Sequence, residues 1–164
     1  MKILQVISYF NPKFGGDVNS VFNLSKYLSK NGHEVTILTT DYEFDSNYAK
    51  TIQDEGVKVV VVHCLLNISS FYYSPSLKFW IKENIKQFDL VHMQNFRSYQ
   101  NNIISHYAKA NNIPYVIQAR GSVLPFFKKQ RLKKLYDVVW GDKLLKNATR
   151  VIALTMVERE QYKQ

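Results

Sequence analysis

The first forty residues constrain the fold more than any other stretch, because they alternate strand, helix and strand within the length of one crossover unit. Lys2-Ile-Leu-Gln-Val-Ile-Ser8 is a short, mostly apolar run, as expected of a parallel strand covered on both faces. From Asp17 the apolar residues Val18, Val21, Phe22 and Leu28 recur near helical spacing. The run stops at Lys30-Asn-Gly32, a basic last turn followed by a C′ glycine. Glu34-Val-Thr-Ile-Leu-Thr-Thr40 is rich in β-branched residues and reads as a second strand. A βαβ crossover of this kind builds parallel sheets.

The turn between the first strand and the helix, Ser8-Tyr-Phe-Asn-Pro-Lys-Phe-Gly-Gly-Asp-Val18, carries the first candidate chemistry. Gly15 and Gly16 have no Cβ, so a ligand can approach the backbone closely there. The helix opening at Asp17 directs unsatisfied N–H groups and its positive dipole end at whatever sits in the crevice. A phosphate site and a glycine pair that only turns the chain both fit these residues. G-x-G-x-x-G and G-x-x-x-x-G-K-[ST] are absent, so neither an NAD-type dinucleotide site nor a P-loop is supported.

Further strands are expected at residues 57–63, 88–93, 115–118 and 150–154, with helices near 76–87, 101–112, after Pro125 and from Met156. Residues 41–56 read as a loop with about one helical turn. Residues 65–75 read as a loop whose Phe71-Tyr-Tyr73 either lines a cleft or caps the core, and capping is the simpler reading. The fold class that follows is a doubly wound, Rossmann-like α/β domain, a mainly parallel sheet with helices on both faces, spanning residues 1–164 as a single unit. In such sheets ligands bind outside the carboxyl ends of the strands. That rule singles out Gln94, Asn95 and Arg97 after the fourth strand, and Arg120, Gly121 and Ser122 after the fifth. His92 is a core histidine on this reading, while Arg97 is either a ligand contact or a salt-bridge partner. Ser122 is expected to cap the next helix, with Pro125 in its first turn. That would give the second turn the same anion-binding geometry as the first.

Composition narrows the setting. A single cysteine, Cys64, excludes an intrachain disulfide and is expected as a small core residue, which makes cytoplasmic exposure the simplest expectation. No apolar run approaches a membrane span. The net charge of +9 favours anionic partners, and it is concentrated between residues 126 and 150, where eight basic residues face only Asp137 and Asp142. The helix expected there has Leu132, Leu135, Tyr136 and Val139 on one face. Lys129, Lys133 and Lys134 lie on its flanks and back, Arg131 adds to the same basic cluster, and Lys128 falls on the apolar face. A basic amphipathic helix headed by Phe126-Phe127 reads either as an element on an anionic membrane surface or as an ordinary packed helix with a solvated face.

Lys2-Ile-Leu-Gln-Val-Ile7, Gly15-Gly16 and Leu24-Ser-Lys-Tyr-Leu-Ser-Lys-Asn-Gly-His-Glu-Val-Thr-Ile-Leu-Thr39 together resemble the opening of the family 4, or group 1, retaining glycosyltransferases of GT-B fold. Asp89-Leu-Val-His-Met-Gln94, Arg97-Ser-Tyr-Gln-Asn101, Tyr115-Val-Ile-Gln-Ala-Arg-Gly-Ser122 and Thr149-Arg-Val-Ile-Ala-Leu-Thr155 follow in the family's order, so the resemblance covers nearly the whole chain. It implies the acceptor-side, N-terminal half of an enzyme that transfers a sugar from a nucleotide-sugar donor with retained configuration and without a metal or other cofactor. The implied acceptor is a sugar, glycolipid or polysaccharide, in polysaccharide, lipopolysaccharide or glycolipid synthesis. The C-terminal domain that carries most nucleotide contacts in the family is expected as a partner and is not represented in residues 1–164. Many members have histidine where this chain has Arg120. Arginine binds phosphate or carboxylate bidentately but cannot shuttle protons near neutral pH, so the position is expected as a ligand contact without acid or base work. Two other classes fit the residues: a non-catalytic docking or scaffold subunit of a split enzyme, and a basic nucleic-acid binder. No recognised nucleic-acid motif accompanies the charge, and nucleic acid is not the expected partner.

Overall fold

A computed structural model describes residues 1–68, 71–122 and 130–163. The six expected strands form one parallel sheet. They are β1 (Lys2–Val6), β2 (Glu34–Thr40), β3 (Lys58–Val62), β6 (Leu90–Gln94), β7 (Tyr115–Gln118) and β8 (Arg150–Ile152), in the order β3-β2-β1-β6-β7-β8. The chain leaves β1 towards β2 and β3, then returns to the other side of β1 for β6, β7 and β8. The direction therefore reverses between β1 and β6, the place where an open α/β sheet forms its ligand crevice.

Alternation along the central strands feeds two cores. Leu4, Val6 and Leu38 face α3 (Ser76–Asn84) and α4 (Tyr99–Ala110) and pack with Leu77, Ile81, Val91, Met93 and Ile104. Ile7, Val35 and Ile37 face α1 (Gly16–Lys30) and α2 (Ser46–Gln53) and pack with Val18, Val21, Ala49 and Ile52. The segment expected as a loop with one turn thus contains a two-turn helix, α2. Its Asp45 N-cap carboxylate accepts from Tyr48 N, and Ala49 and Ile52 supply the buried face that anchors it.

The larger departure lies between β3 and α3. Leu66–Ile68 and Phe71–Tyr73 pair antiparallel as a separate hairpin, β4 and β5, instead of a loop. Tyr72 points inward against Tyr9 and Tyr42, with ring centroids 5.6 and 5.0 Å away, while Phe71 and Tyr73 set their edges against Tyr99. Cys64 is not a core residue. It lies in the turn after β3, partly exposed, where its N–H donates to Asp41 Oδ1 at 2.7 Å.

On the far side of α4 lie α5 (Gln130–Tyr136), a π-helical turn (Asp137–Gly141) and α6 (Asp142–Lys146). The apolar face expected for this region is only partly packed: Tyr136 donates through its hydroxyl to Asn102 Oδ1, whereas Leu135 and Val139 face solvent. Val123 to Lys129, with Pro125 and the expected helix start, lie outside the described residues, as do the side chains of Leu132 and Lys133. The chain closes with α7 (Met156–Gln161), which packs against the end of β7.

Candidate functional site

Three segments meet at the carboxyl edge between β1, β6 and β7. The first is the β1–α1 turn, which is more elaborate than expected. Asn11 caps a short 3₁₀ turn (Pro12–Phe14) by accepting from Lys13 N. Gly15 follows at φ +78°, and α1 starts at Gly16. The left-handed conformation favours glycine at position 15. Among the described residues, and apart from its own turn of chain, a Cβ at either glycine would meet no atom within 4 Å, which leaves room for a ligand to approach. Gly15 N–H already donates to Pro12 O, which leaves the first N–H groups of α1 itself to face the crevice.

The second segment is the end of β6. Asn95 and Arg120, at the carboxyl ends of neighbouring strands, both take positive φ, 63° and 54°. Positive φ is uncommon outside glycine, and such backbone clusters where ligands are bound. Asn101, fully buried at the start of α4, holds the first of these turns by donating through Nδ2 to the carbonyls of Gln94 and Asn95, at 3.1 and 2.8 Å. The Asn95 side chain lies near the Tyr9 hydroxyl.

The third segment is the β7 turn, and Arg120 ties all three together. Its side chain, only 7% exposed, donates from Nε to Gln94 Oε1 at 3.0 Å and lies 3.6 Å from Asp17 Oδ1. Asp17 in turn accepts from the Tyr9 hydroxyl at 3.3 Å. The two turns singled out in the sequence therefore face one crevice, and an ion pair joins them. Burial, followed by the nearby Asp17 carboxylate, raises the Tyr9 phenol above its usual range, so Tyr9 remains a hydroxyl donor.

Beneath Arg120 lies a row of buried polar side chains, Gln5, His92, Gln94 and Gln118, across three otherwise apolar strands. Because Gln94 Oε1 accepts from arginine, its Nε2 faces Gln5 Oε1 at 3.3 Å and His92 Nε2 at 3.2 Å. His92 Nε2 is then the acceptor and its proton sits on Nδ1. Burial, reinforced by the Arg120 charge, lowers the His92 pKa to about 4, in keeping with a neutral ring, and His92 is the core residue expected. Gln5 Nε2 has no partner among the described residues although it is fully buried.

Other candidates are placed differently. Arg97 grips Asp137 of the π turn with two bonds, Nε to Oδ1 at 2.8 Å and Nη2 to Oδ2 at 2.6 Å. Its Nη1 donates to the Ser122 carbonyl and its guanidinium stacks on Phe96. Of the two readings open to it in the sequence, the ion pair is the geometry adopted, partly buried and holding the β7 turn. Gly121, at φ +75°, gives its N–H to Glu158 Oε1 at 2.6 Å, so that donor is already matched by a carboxylate. The helix that Ser122 is expected to cap begins outside the described residues. The Ser122 hydroxyl turns back to the Ala119 carbonyl, closing the turn locally. Arg131 and Lys134 are exposed on α5, while Lys128, Lys129 and the Lys133 side chain lie outside the described residues.

Tyr9, Asp137 and Glu158 were not among the expected site residues. Glu158 had a legible signal, since Thr155-x-x-Glu158 is a capping-box pattern and Thr155 does accept from Glu158 N. The carboxylate, however, bonds Leu154 N and reaches across to Gly121 N, a contact that only the tertiary fold creates.

The model of glycosyltransferase family 4 matches residues 14–164. No curated protein sequence matches the chain. Among solved structures, HepE of Anabaena, in complex with UDP and glucose, is 16% identical, with a TM-score of 0.67 over 100% of this chain and 41% of its own. MurG of Acinetobacter baumannii is 14% identical, with a TM-score of 0.52 over 93% of this chain and 40% of its own. UGT89C1 of Arabidopsis thaliana, complexed with UDP, is 13% identical, with a TM-score of 0.58 over 98% and 47%. The chain thus spans less than half the length of these structures, and the likeness lies in the Rossmann-like half of a GT-B fold. With a family model matched over all but its first thirteen residues, the chain belongs to glycosyltransferase family 4.

Proposed function

We propose that this chain is the acceptor-side domain of a retaining, metal-independent glycosyltransferase that takes its sugar from a nucleotide-sugar donor. In this reading it acts on a glycan, glycolipid or polysaccharide acceptor together with a C-terminal donor-binding domain. The observation that carries the reading is the Arg120–Asp17 pair, which brings the β7 turn and the α1 N-terminus together at the point where the sheet reverses direction. UDP in the HepE and UGT89C1 structures is consistent with a nucleotide-sugar partner. In this role Gly15 and Gly16 let the ligand reach the backbone, the first N–H groups of α1 and the Arg120 guanidinium face its anionic part, and Tyr9 and Asn95 offer hydrogen bonds to hydroxyls. The exposed Arg131 and Lys134 would hold the domain peripherally on anionic lipid at the inner face of the cell membrane.

Gly16→Val tests the site. Among the described residues nothing beyond its own turn of helix lies within 4 Å of the new Cβ, so the thermal transition should be retained, while the bulk fills the approach to the backbone. Transfer by a form carrying both domains should fall to background. Full activity in that variant would refute the placement. One observation favours a second reading, a non-catalytic docking subunit: Arg120 and Gly121 N–H already face the carboxylates of Asp17 and Glu158. That subunit would show no nucleotide-sugar binding in the presence of a donor domain.

A further inference from the structure

Residues 119–122 form the tight turn that presents Arg120. The Ala119 carbonyl accepts from Ser122 N at 3.2 Å, with Arg120 at φ +54° and Gly121 at φ +75° between them. Two positive φ values in the centre of a turn suit glycine, asparagine and aspartate. Arginine there is strained, and such backbone persists only where the surrounding structure holds it.

The holding groups come from α7. Glu158 is 3% exposed, and its two carboxylate oxygens accept from Gly121 N at 2.6 Å and Leu154 N at 2.7 Å. One helical turn on, the Tyr162 hydroxyl accepts from Ala119 N at 3.1 Å and donates to the Ile152 carbonyl at 3.4 Å. Burial pushes the Tyr162 pKa up to about 12, so the group stays a hydroxyl. The N–H groups on both sides of Arg120 are thus taken by two side chains of one helix. In a capping box the glutamate reaches back to the N-cap N–H of its own helix. Here Thr155 caps α7, but the Glu158 oxygens go to the chain just beyond β7 and β8. A carboxylate is what this junction requires, because two N–H donors converge on it. Glutamine would offer one acceptor oxygen and set its amide N–H against the second donor. At the far end of the arginine, Nε is fixed by Gln94 Oε1. We infer that Glu158 is a positioning residue for the crevice, with Tyr162 as its second grip: they hold the β7 turn in the conformation that places the Arg120 guanidinium against Gln94 and Asp17. The inference rests on the proposed function in one respect, since the placement matters to transfer only where Arg120 meets the ligand.

Nitrogen-15 NMR of the chain reads the guanidinium directly and needs no ligand. The Arg120 Nε–H, identified by its loss in Arg120→Lys, should give a separate, slowly exchanging signal because it is buried and bonded to Gln94. In Glu158→Gln that signal should merge with those of the exposed Arg131, Arg150 and Arg159, while the amide signals of β1 and β2 stay where they are. Glu160→Gln, which removes an exposed neighbouring charge paired with Lys163, should change nothing at Arg120. An unchanged Arg120 signal in Glu158→Gln would overturn the inference. Should that variant not fold, Tyr162→Phe, which deletes a single hydroxyl, decides by the same signal and in the same way. In a form carrying both domains, Glu158→Gln should also weaken nucleotide-sugar binding, as Arg120→Ala does. Unweakened binding beside a displaced guanidinium would refute the ligand role of Arg120 while the positioning stands.

Discussion

Arg120 and Asp17 set the charge of the crevice between them. With the guanidinium in place, the carboxylate 3.6 Å away is largely neutralised; without it, Asp17 presents an uncompensated negative charge beside the α1 N-terminus. Arg120→Ala should therefore weaken binding of an anionic ligand by about 1.5–3 kcal/mol, the worth of a charged hydrogen bond, and titration calorimetry with a nucleotide sugar would measure it. His92 gives a pH signature at the same spot. Its folded pKa, lowered to about 4, lies below the ordinary histidine value of 6.5, so the unfolded chain binds the extra proton first as pH falls. This contribution to stability is complete above pH 6.5, declines as pH drops towards 4, and levels off below that. The loss is at most about 3 kcal/mol at 1.36 kcal/mol per pH unit. Denaturant unfolding at pH 7 and pH 5 should show it in the wild type and a flatter dependence in His92→Gln. Equal slopes would mean that the ring is hydrated and the polar row under Arg120 is open to water.

At the level of elements, the π turn acts as a latch for the β7 turn. Asp137 receives Arg97, and Gly141, one turn on, packs so closely that an added Cβ would lie 2.9 Å from both Asp137 Oδ1 and Phe96 Cζ. The Asp137 carboxylate is held by Arg97 and the Phe96 ring is buried, so neither yields freely and Gly141→Ala should cost about 1–3 kcal/mol of stability, visible as a lowered denaturation midpoint at unchanged slope. The strands were readable in the sequence because each is a short apolar or β-branched run, and α1 because its caps and its apolar period agree. The hairpin was not, since three residues of paired strand on either side of a polar Ser-Ser leave too little alternation to distinguish them from a loop. The candidate site was legible as far as the carboxyl-edge rule reaches, namely Gly15, Gly16, Asp17, Asn95 and Arg120. Beyond it, Arg97 and Gly121 take their partners, Asp137 and Glu158, from 40 and 37 residues away. No local pattern encodes which of several polar groups at a sheet edge such partners will claim.

For the whole molecule, the expectation is that residues 1–164 fold alone and do not catalyse. Folding follows from a six-stranded sheet whose central strands β1 and β6 are paired on both edges, with a closed apolar core on each face. A cooperative thermal transition should result. Catalysis should fail for a different reason. The crevice offers an anionic donor the first N–H groups of one helix and an arginine already engaged by Asp17, while Glu158 occupies the Gly121 N–H. Displacing those carboxylates requires a ligand that brings more interaction energy than one open sheet edge supplies, and water screens whatever pairing replaces them. Nor does a single edge hold donor and acceptor in line, which is where positioning gains its rate advantage. A second domain closing over the edge would exclude the water and supply the missing contacts. The purified chain should accordingly show weak or undetectable nucleotide-sugar binding and no turnover, with activity appearing when a donor-binding domain is added in cis or in trans. Robust sugar transfer by residues 1–164 alone would place the active site somewhere other than the β1–β6 crevice.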